Sequence, residues 1–300
     1  MSHALRRVFI ISLALAACIG AQSPETRRVA RVGFDLYYRV YGTGAPIAIL
    51  SGGPGMDCDY MGPVAREIAK TNRAVIIELR GTGRSMPPVL NPQTINVDEY
   101  VSDLEAVRAD LRTERWTLLG HSAGAMLAMS YGARCPEHVV SLVLVGSGPV
   151  RRVSGNVMND NVNLRLTPEE RKKIPLLAKG GWPTAALVRL TTPGLFYDRE
   201  KARAFLAGFR DESFHEETHR LLNLAQQAES DMRPSLKSFN RPALVIAGRQ
   251  DPIDPGVQYE IHLALKNSQL EFLNRCGHFA WVEQPDEFYR IVKAFLAAHE

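Results

Sequence analysis

The chain has 300 residues, 45% of them hydrophobic and 23% charged, which suits one large globular domain or one domain with an inserted lobe. Its formal net charge is only +4, and Arg6 and Arg7, in the extreme N-terminus, contribute to it. That balance leaves no basic footprint for nucleic acid, and the absence of repeats, low-complexity tracts and single-sign charge runs excludes fibrous and disordered classes.

The N-terminus has the layout of a secretory signal peptide over residues 1–21: Arg6 and Arg7, an apolar stretch from Val8 to Ala17, then small residues. The apolar stretch is shorter than the roughly 20 residues a membrane span needs. Leu15-Ala16-Ala17-Cys18 also resembles a bacterial lipoprotein signal, in which the cysteine is lipidated and becomes the new terminus. The alternative is cleavage after Ala21 to a soluble protein. Either way the expected location is outside the cytoplasm: periplasmic, secreted, or anchored to a membrane through a lipid on Cys18. The other cysteines are Cys58, Cys135 and Cys276, so at most one intramolecular disulfide can form in the processed chain. No cysteine pair has metal-ligand spacing.

Strand-like and helix-like segments then alternate. Arg27 to Gly42 reads as two strands with Gly33 near the turn, Pro46 to Ser51 as a buried strand, Val64 to Lys70 as a helix and Arg73 to Leu79 as a strand. Val97 to Arg112 carries apolar residues at helical spacing. Trp116 to Gly120 is a strand, Ala123 to Arg134 a helix, and Val139 to Ser147 a β-branched strand. From about Val150 to Phe239 the segments are helical with no convincing strand; Thr167, Pro168 and Glu170 form a capping-box start. Alternation resumes with Pro242 to Gly248, a helix from Val257, a strand near Gln269 and a terminal helix from Pro285. Continuous apolar strands alternating with helices predict an α/β fold, a mostly parallel sheet flanked by helices. Residues 22–149 and 240–300 form its expected core, and residues 150–239 a helical lid over the strands' C-terminal edge, where open α/β sheets bind ligands.

Gly120-His121-Ser122-Ala123-Gly124 fits G-x-S-x-G between a strand and a helix, the context a nucleophile elbow requires. Side chains at Gly120 and Gly124 would collide with the turn or a neighbouring strand. Ala123 N–H, at the helix N-terminus, faces the place where negative charge would develop. Gly53, in Ser51-Gly52-Gly53-Pro54-Gly55, can supply a second oxyanion donor, whereas Pro54 has no N–H. The triad order Ser, acid, His then selects Asp251, after the strand ending at Gly248, with Asp254 as fallback, and His278 beside Gly277. His121, His138, His215, His219, His262 and His299 fit packing or surface roles. The implied chemistry is acyl transfer through Ser122 with no metal or organic cofactor, on a small-molecule or short-peptide substrate. Residues 78–88 match neither a phosphate loop nor G-x-G-x-x-G and read as a structured turn beside the site.

With Gly52 to Gly55, Arg80 to Ser85, the elbow around Ser122, Asp251, and the run from Gly277 to Pro285, the chain resembles the α/β-hydrolase superfamily along nearly its whole mature length. Within it the chain is most similar to the proline iminopeptidase group and its esterase-like neighbours. The resemblance implies a serine hydrolase acting on an N-terminal-proline peptide or related small amide, with carboxylic esters or lactones as the close alternative. Two departures bear on substrate: Ser51 stands where the group usually has histidine, and the elbow reads GHSAG rather than GGS followed by an aromatic residue and glycine. A non-catalytic, ligand-binding member of the fold is the remote alternative. The resemblance also implies lid carboxylates for a substrate amine, without choosing among Glu169, Glu170, Asp198, Glu200, Asp211, Glu212, Glu216 and Glu217. Trp182, Phe196, Tyr197 and Trp281 are candidates for pocket walls or for packing.

Overall fold

A computed structural model describes residues 23–151, 157–229 and 231–299. The expected signal segment, with Cys18 and Ala21, lies outside the described residues. The strands in chain order are β1 (Glu25–Arg31), β2 (Phe34–Tyr41), β3 (Pro46–Leu50), β4 (Arg73–Ile77), β5 (Trp116–His121), β6 (Val139–Val145), β7 (Ala178–Lys179), β8 (Trp182–Pro183), β9 (Ala243–Gly248) and β10 (Ser268–Leu273). Eight of them form one sheet in the order β1-β2-β4-β3-β5-β6-β9-β10. From β4 to β10 every neighbouring pair is parallel, and β2 meets β1 and β4 antiparallel.

The helices are α1 (Gly62–Ile68), α2 (Val97–Asp110), α3 (Ala123–Arg134), α4 (Val157–Arg165), α5 (Pro168–Leu177), α6 (Ala185–Thr191), α7 (Arg199–Leu206), α8 (Glu216–Ala228), α9 (Arg233–Ser238), α10 (Pro255–Ala264), α11 (Ala280–Glu283) and α12 (Pro285–Ala298). Successive strand residues point to opposite faces, so the central strands divide their side chains between two cores. Val75, Leu118, Leu142 and Leu144 pack with α2 and α3 on one face; Ile76, Leu119, Val143 and Val145 pack with α1 and α12 on the other. Two-sided burial is why these strands read as continuous apolar runs rather than alternating ones. Each such side chain contributes about 1.5–3 kcal/mol by leaving water.

Helices α4 to α9 lie between β6 and β9 in sequence. The start of α5 is the capping box expected: Thr167 accepts from Glu170 N–H at 3.2 Å, and the Glu170 carboxylate accepts from Thr167 N–H at 2.8 Å. The expectation of no strand in this region needs correction, because β7 and β8 form a small antiparallel hairpin. Two residues per strand are too few for any alternation to register in the sequence. Helix α9 behaves as core rather than lid, since Leu236 and neighbouring Phe239 are buried among the residues around α3. Among the described residues, no helix is long and apolar enough to cross a membrane.

Candidate active site

The C-terminal ends of four parallel strands meet at one edge of the sheet. Ser122 follows β5, Gly146 follows β6, Asp251 lies three residues beyond β9, and His278 lies beyond β10. Ser122 occupies the turn between β5 and α3 with φ 55° and ψ −119°. For a non-glycine residue this conformation costs on the order of 1–3 kcal/mol and persists only where the surroundings enforce it. They do so by contact. A Cβ on Gly120 would lie 2.3 Å from the Gly124 carbonyl oxygen, and one on Gly124 would lie 2.5 Å from the carbonyl oxygens of Leu50 and Ser51. Both glycines of the elbow are therefore required by backbone approaching backbone. Ser122 N–H donates to the Val145 carbonyl at 2.8 Å, tying the turn to the adjacent strand.

Asp251 and His278 are joined by a hydrogen bond of 2.8 Å between Nδ1 and Oδ2, and both are buried. The second Asp251 oxygen accepts from Ile253 N–H at 2.8 Å. His278 N–H donates to the Leu195 carbonyl at 2.8 Å. The carboxylate and the imidazole are thus each held by backbone as well as by one another. Asp254 instead caps α10, accepting from Gly256 N–H at 2.6 Å, which removes it as the acid. Among the described residues no hydrogen bond joins Ser122 Oγ to His278; in unliganded hydrolases this contact is often loose and tightens around substrate.

The loop from Gly52 to Gly55 lies against the elbow, so closely that a Cβ on Gly52 would meet Ser122 Cβ at 2.6 Å. Gly53 N–H and Ala123 N–H have no hydrogen-bond acceptor among the described residues. Ala123 is the first residue of α3, one of the helix-end amides that lacks an intrahelical partner.

Helix α8 covers this loop. His215 N–H donates to the Gly55 carbonyl at 2.8 Å, His219 Nδ1 lies 2.8 Å from the Pro54 carbonyl, and Gln226 Nε2 donates to the Ala123 carbonyl at 3.0 Å. Within residues 78–88, read from the sequence as a structured turn, residues 80–85 form the turn, and they support α8: Thr218 Oγ1 donates to the Gly81 carbonyl at 2.7 Å. The turn is fixed from below by Arg80, which holds Asp103 at 2.6 Å and Glu99 at 2.7 Å.

Of the carboxylates between β6 and β9, most have local partners. Glu170 belongs to the capping box and holds Arg199, Asp198 caps α7, Glu169 pairs with Lys172 and Glu200 with Arg203. Asp211 pairs with Arg189 and Glu217 with Arg220. Glu212 and Glu216 have no ion pair among the described residues; of the two, Glu212 lies with Arg210 and Asp57, away from the space between α6 and α8. Asp211, Glu216 and Glu217 line a cavity of about 560 Å³ between α6 and α8, together with Phe214 and His215. Ser122 is not among its lining residues, but the cavity adjoins the glycine loop through the Met56–Phe214 bridge. Phe196 stacks on Phe279 in the core, Trp281 packs against His121, Trp182 meets His219, and Tyr197 is half exposed.

Two groups escaped sequence reasoning. Glu283 is buried, and its carboxylate accepts from three backbone amides: Gly277 at 2.6 Å, Tyr197 at 2.9 Å and Asp198 at 2.8 Å. It joins the His278 loop to the insertion, and burial raises its pKa above the ordinary carboxylate value. Tyr60 reaches both Gly52 and His121. Burial, with His278 adjacent, holds the His121 pKa well below 6.5, so the ring is neutral. A sequence signal existed only for Glu283, which lies in the run from Gly277 to Pro285.

A metal would find Glu105, Cys135 and His138 with ligand atoms within 4.8 Å of one another. Arg108 already holds Glu105 through two hydrogen bonds of 2.8 and 2.9 Å, so a cation would have to displace a guanidinium. Cys58, Cys135 and Cys276 are all free thiols.

The family model for the α/β-hydrolase fold matches residues 45–285. The chain is 24% identical over 300 residues to a proline iminopeptidase of Lactobacillus helveticus, covering 90% of this chain and 96% of that protein. It is 28% identical over 290 residues to a 2-hydroxymuconate semialdehyde hydrolase of a Pseudomonas species, covering 92% and 95%. Among solved structures it superimposes on the enol-lactonase of Burkholderia xenovorans with a TM-score of 0.72 at 22% identity, covering 90% of this chain and 100% of that one, a likeness of fold alone. With the matched segment spanning most of the chain, and the strand order and elbow described above, the chain belongs to the α/β-hydrolase fold family.

Proposed function

We propose that the protein is a serine hydrolase acting through an acyl-enzyme, with Ser122 as nucleophile, His278 as general base and Asp251 as its orienting acid. The observation that carries this reading is the strained Ser122 turn at the same sheet edge as the 2.8 Å Asp251–His278 pair. His278 Nε2 takes the Ser122 proton as Oγ attacks the substrate carbonyl carbon. Asp251 fixes the imidazole tautomer and stabilises the cation that forms. Gly53 and Ala123 amides hold the developing oxyanion; loss of one such donor typically costs on the order of 100-fold or more. The intermediate collapses, the leaving amine or alcohol takes the proton back from His278, and water releases the acyl group by the same route in reverse.

For substrate, the reading is a small amide with a free amino terminus, proline iminopeptidase-like. Glu216 supports it: an exposed carboxylate without an ion pair, lining the cavity that adjoins the glycine loop, suits a substrate ammonium. A carboxylic ester or lactone is the second reading, favoured by Ser51 and by the GHSAG elbow. The chain is further read as exported by residues 1–21, with processing at Cys18 or after Ala21.

Paired rates on a prolyl arylamide and a short-chain aryl ester, for wild type and Ser122→Ala, test this. Serine-dependent cleavage of the arylamide, lowered by Glu216→Gln chiefly through KM, is the expected result. Cleavage of the ester alone would make the protein an esterase, and rates unchanged in Ser122→Ala would overturn the mechanism.

A further inference from the structure

His121, the residue before the nucleophile, is 2% exposed and is bonded at both ring nitrogens. Nε2 lies 3.0 Å from the backbone carbonyl of His278. A carbonyl only accepts, so Nε2 carries the hydrogen and Nδ1 of the neutral ring presents a lone pair. Tyr60 Oη lies 3.0 Å from that Nδ1 and therefore donates to it. The free lone pair of the same phenol oxygen accepts from Gly52 N–H at 2.5 Å. The polarity of the whole chain is thereby fixed in one direction, with no choice left at any atom.

We propose that His121 and Tyr60 are positioning residues, a strut that sets the distance between the general base and the oxyanion site. One end holds the backbone of His278. The other end holds Gly52, whose peptide carries the Gly53 N–H, and the ring is attached to the residue next to Ser122. Three loops remote in sequence are thus referenced to one side chain. Trp281 meets the His121 ring edge-on at 4.8 Å and Tyr60 stacks on Trp281 at 6.1 Å, so neither ring is free to turn. The strut transfers no proton. It acts by geometry, where a misplacement of about 1 Å costs about 100-fold. The proposal rests on the serine-hydrolase reading above.

The test uses the processed full-length protein and a fluorophosphonate, resolved into reversible affinity and maximal phosphonylation rate, alongside binding of phenylboronic acid. Tyr60→Phe keeps the ring and removes both hydrogen bonds. It is expected to lower the maximal phosphonylation rate roughly 10- to 100-fold and to weaken the tetrahedral boronate adduct in proportion, leaving reversible fluorophosphonate affinity unchanged. His121→Leu should do the same or more. His121→Gln can both donate and accept, so it should recover most of the rate although it cannot be protonated. Should His121→Leu fail to fold, Tyr60→Phe and His121→Gln still decide. A folded Tyr60→Phe variant with wild-type rate and boronate affinity would overturn the strut while leaving the hydrolase reading intact. Wild-type protein inert to the fluorophosphonate would overturn both.

Discussion

Gly146 sits directly behind the Asp251–His278 pair, and a single methyl placed there tests what the pair does. Its backbone has φ +52°, and a Cβ would lie 3.0 Å from Asp251 Oδ2, 3.1 Å from His278 Nδ1 and 3.3 Å from His278 Cε1. In Gly146→Ala, an L residue in the left-handed region costs about 1–2 kcal/mol. The two contacts near 3 Å must also be relieved by a few tenths of an ångström. The backbone offers little room: Ile253 N–H holds Asp251 Oδ1, and the Leu195 carbonyl holds His278 N–H. The shift therefore falls on the 2.8 Å hydrogen bond between the side chains. We expect a stability loss of about 2 kcal/mol by urea denaturation and a drop in phosphonylation rate of about 10- to 100-fold on the folded protein. Gly180→Ala is the control. It has φ +58° and nothing within 4 Å of the added methyl, so it carries the backbone cost alone and should keep the wild-type rate. A folded Gly146→Ala protein labelled as fast as Gly180→Ala would refute the role given to the pair.

Other outcomes follow from the same geometry. Asp251→Asn should preserve the fold and lower kcat on the order of 10⁴-fold, because the amide favours the wrong imidazole tautomer; steady-state rates on whichever substrate is cleaved measure it. Glu283→Gln turns an NH₂ toward backbone N–H groups and should cost roughly 1–3 kcal/mol in chemical denaturation, with the insertion loosened around Tyr197 in hydrogen exchange. Burial depresses the pKa of His121, and of His219, below 6.5. The stability these two groups contribute is therefore present above about pH 6.5 and lost as pH falls below it, by at most about 1.4 kcal/mol per pH unit for each proton. Urea unfolding from pH 7.5 to 5 should show a shallower acid slope in His121→Gln than in wild type; identical slopes would contradict a neutral, buried His121.

The elements that place the site were legible because their causes are local. Apolar runs marked the strands buried on both faces, and the small residues from Gly120 to Ala125 marked a turn forced against neighbouring backbone. Thr167 and Glu170 announced a helix start within four residues. What escaped notice depends on partners distant in the chain. Tyr60 and His121 are 61 positions apart, and His121 and the His278 carbonyl 157 apart. The docking of His215 and His219 on Pro54 and Gly55 likewise has no local pattern; these histidines read as packing or surface residues on a polar helix. Position nearer the end of β9 favoured Asp251 and left Asp254 as a fallback; what separates them is where the turn aims each carboxylate, Asp251 onto His278 and Asp254 onto the start of α10. The substrate amine site stayed open for a different reason: most acidic side chains of the insertion pair or cap locally, as Glu169 does with Lys172, Glu200 with Arg203 and Glu217 with Arg220, and no spacing in the sequence marks the one that faces the site.

The central claim is a nucleophilic Ser122, and intact-mass analysis after fluorophosphonate treatment tests it most directly. The mechanism predicts one covalent adduct on the wild-type protein, mapped to the peptide holding Ser122, slowed by Asp251→Asn and absent from folded Ser122→Ala. A folded wild-type protein that takes no label, or one labelled equally after Ser122→Ala, would contradict it.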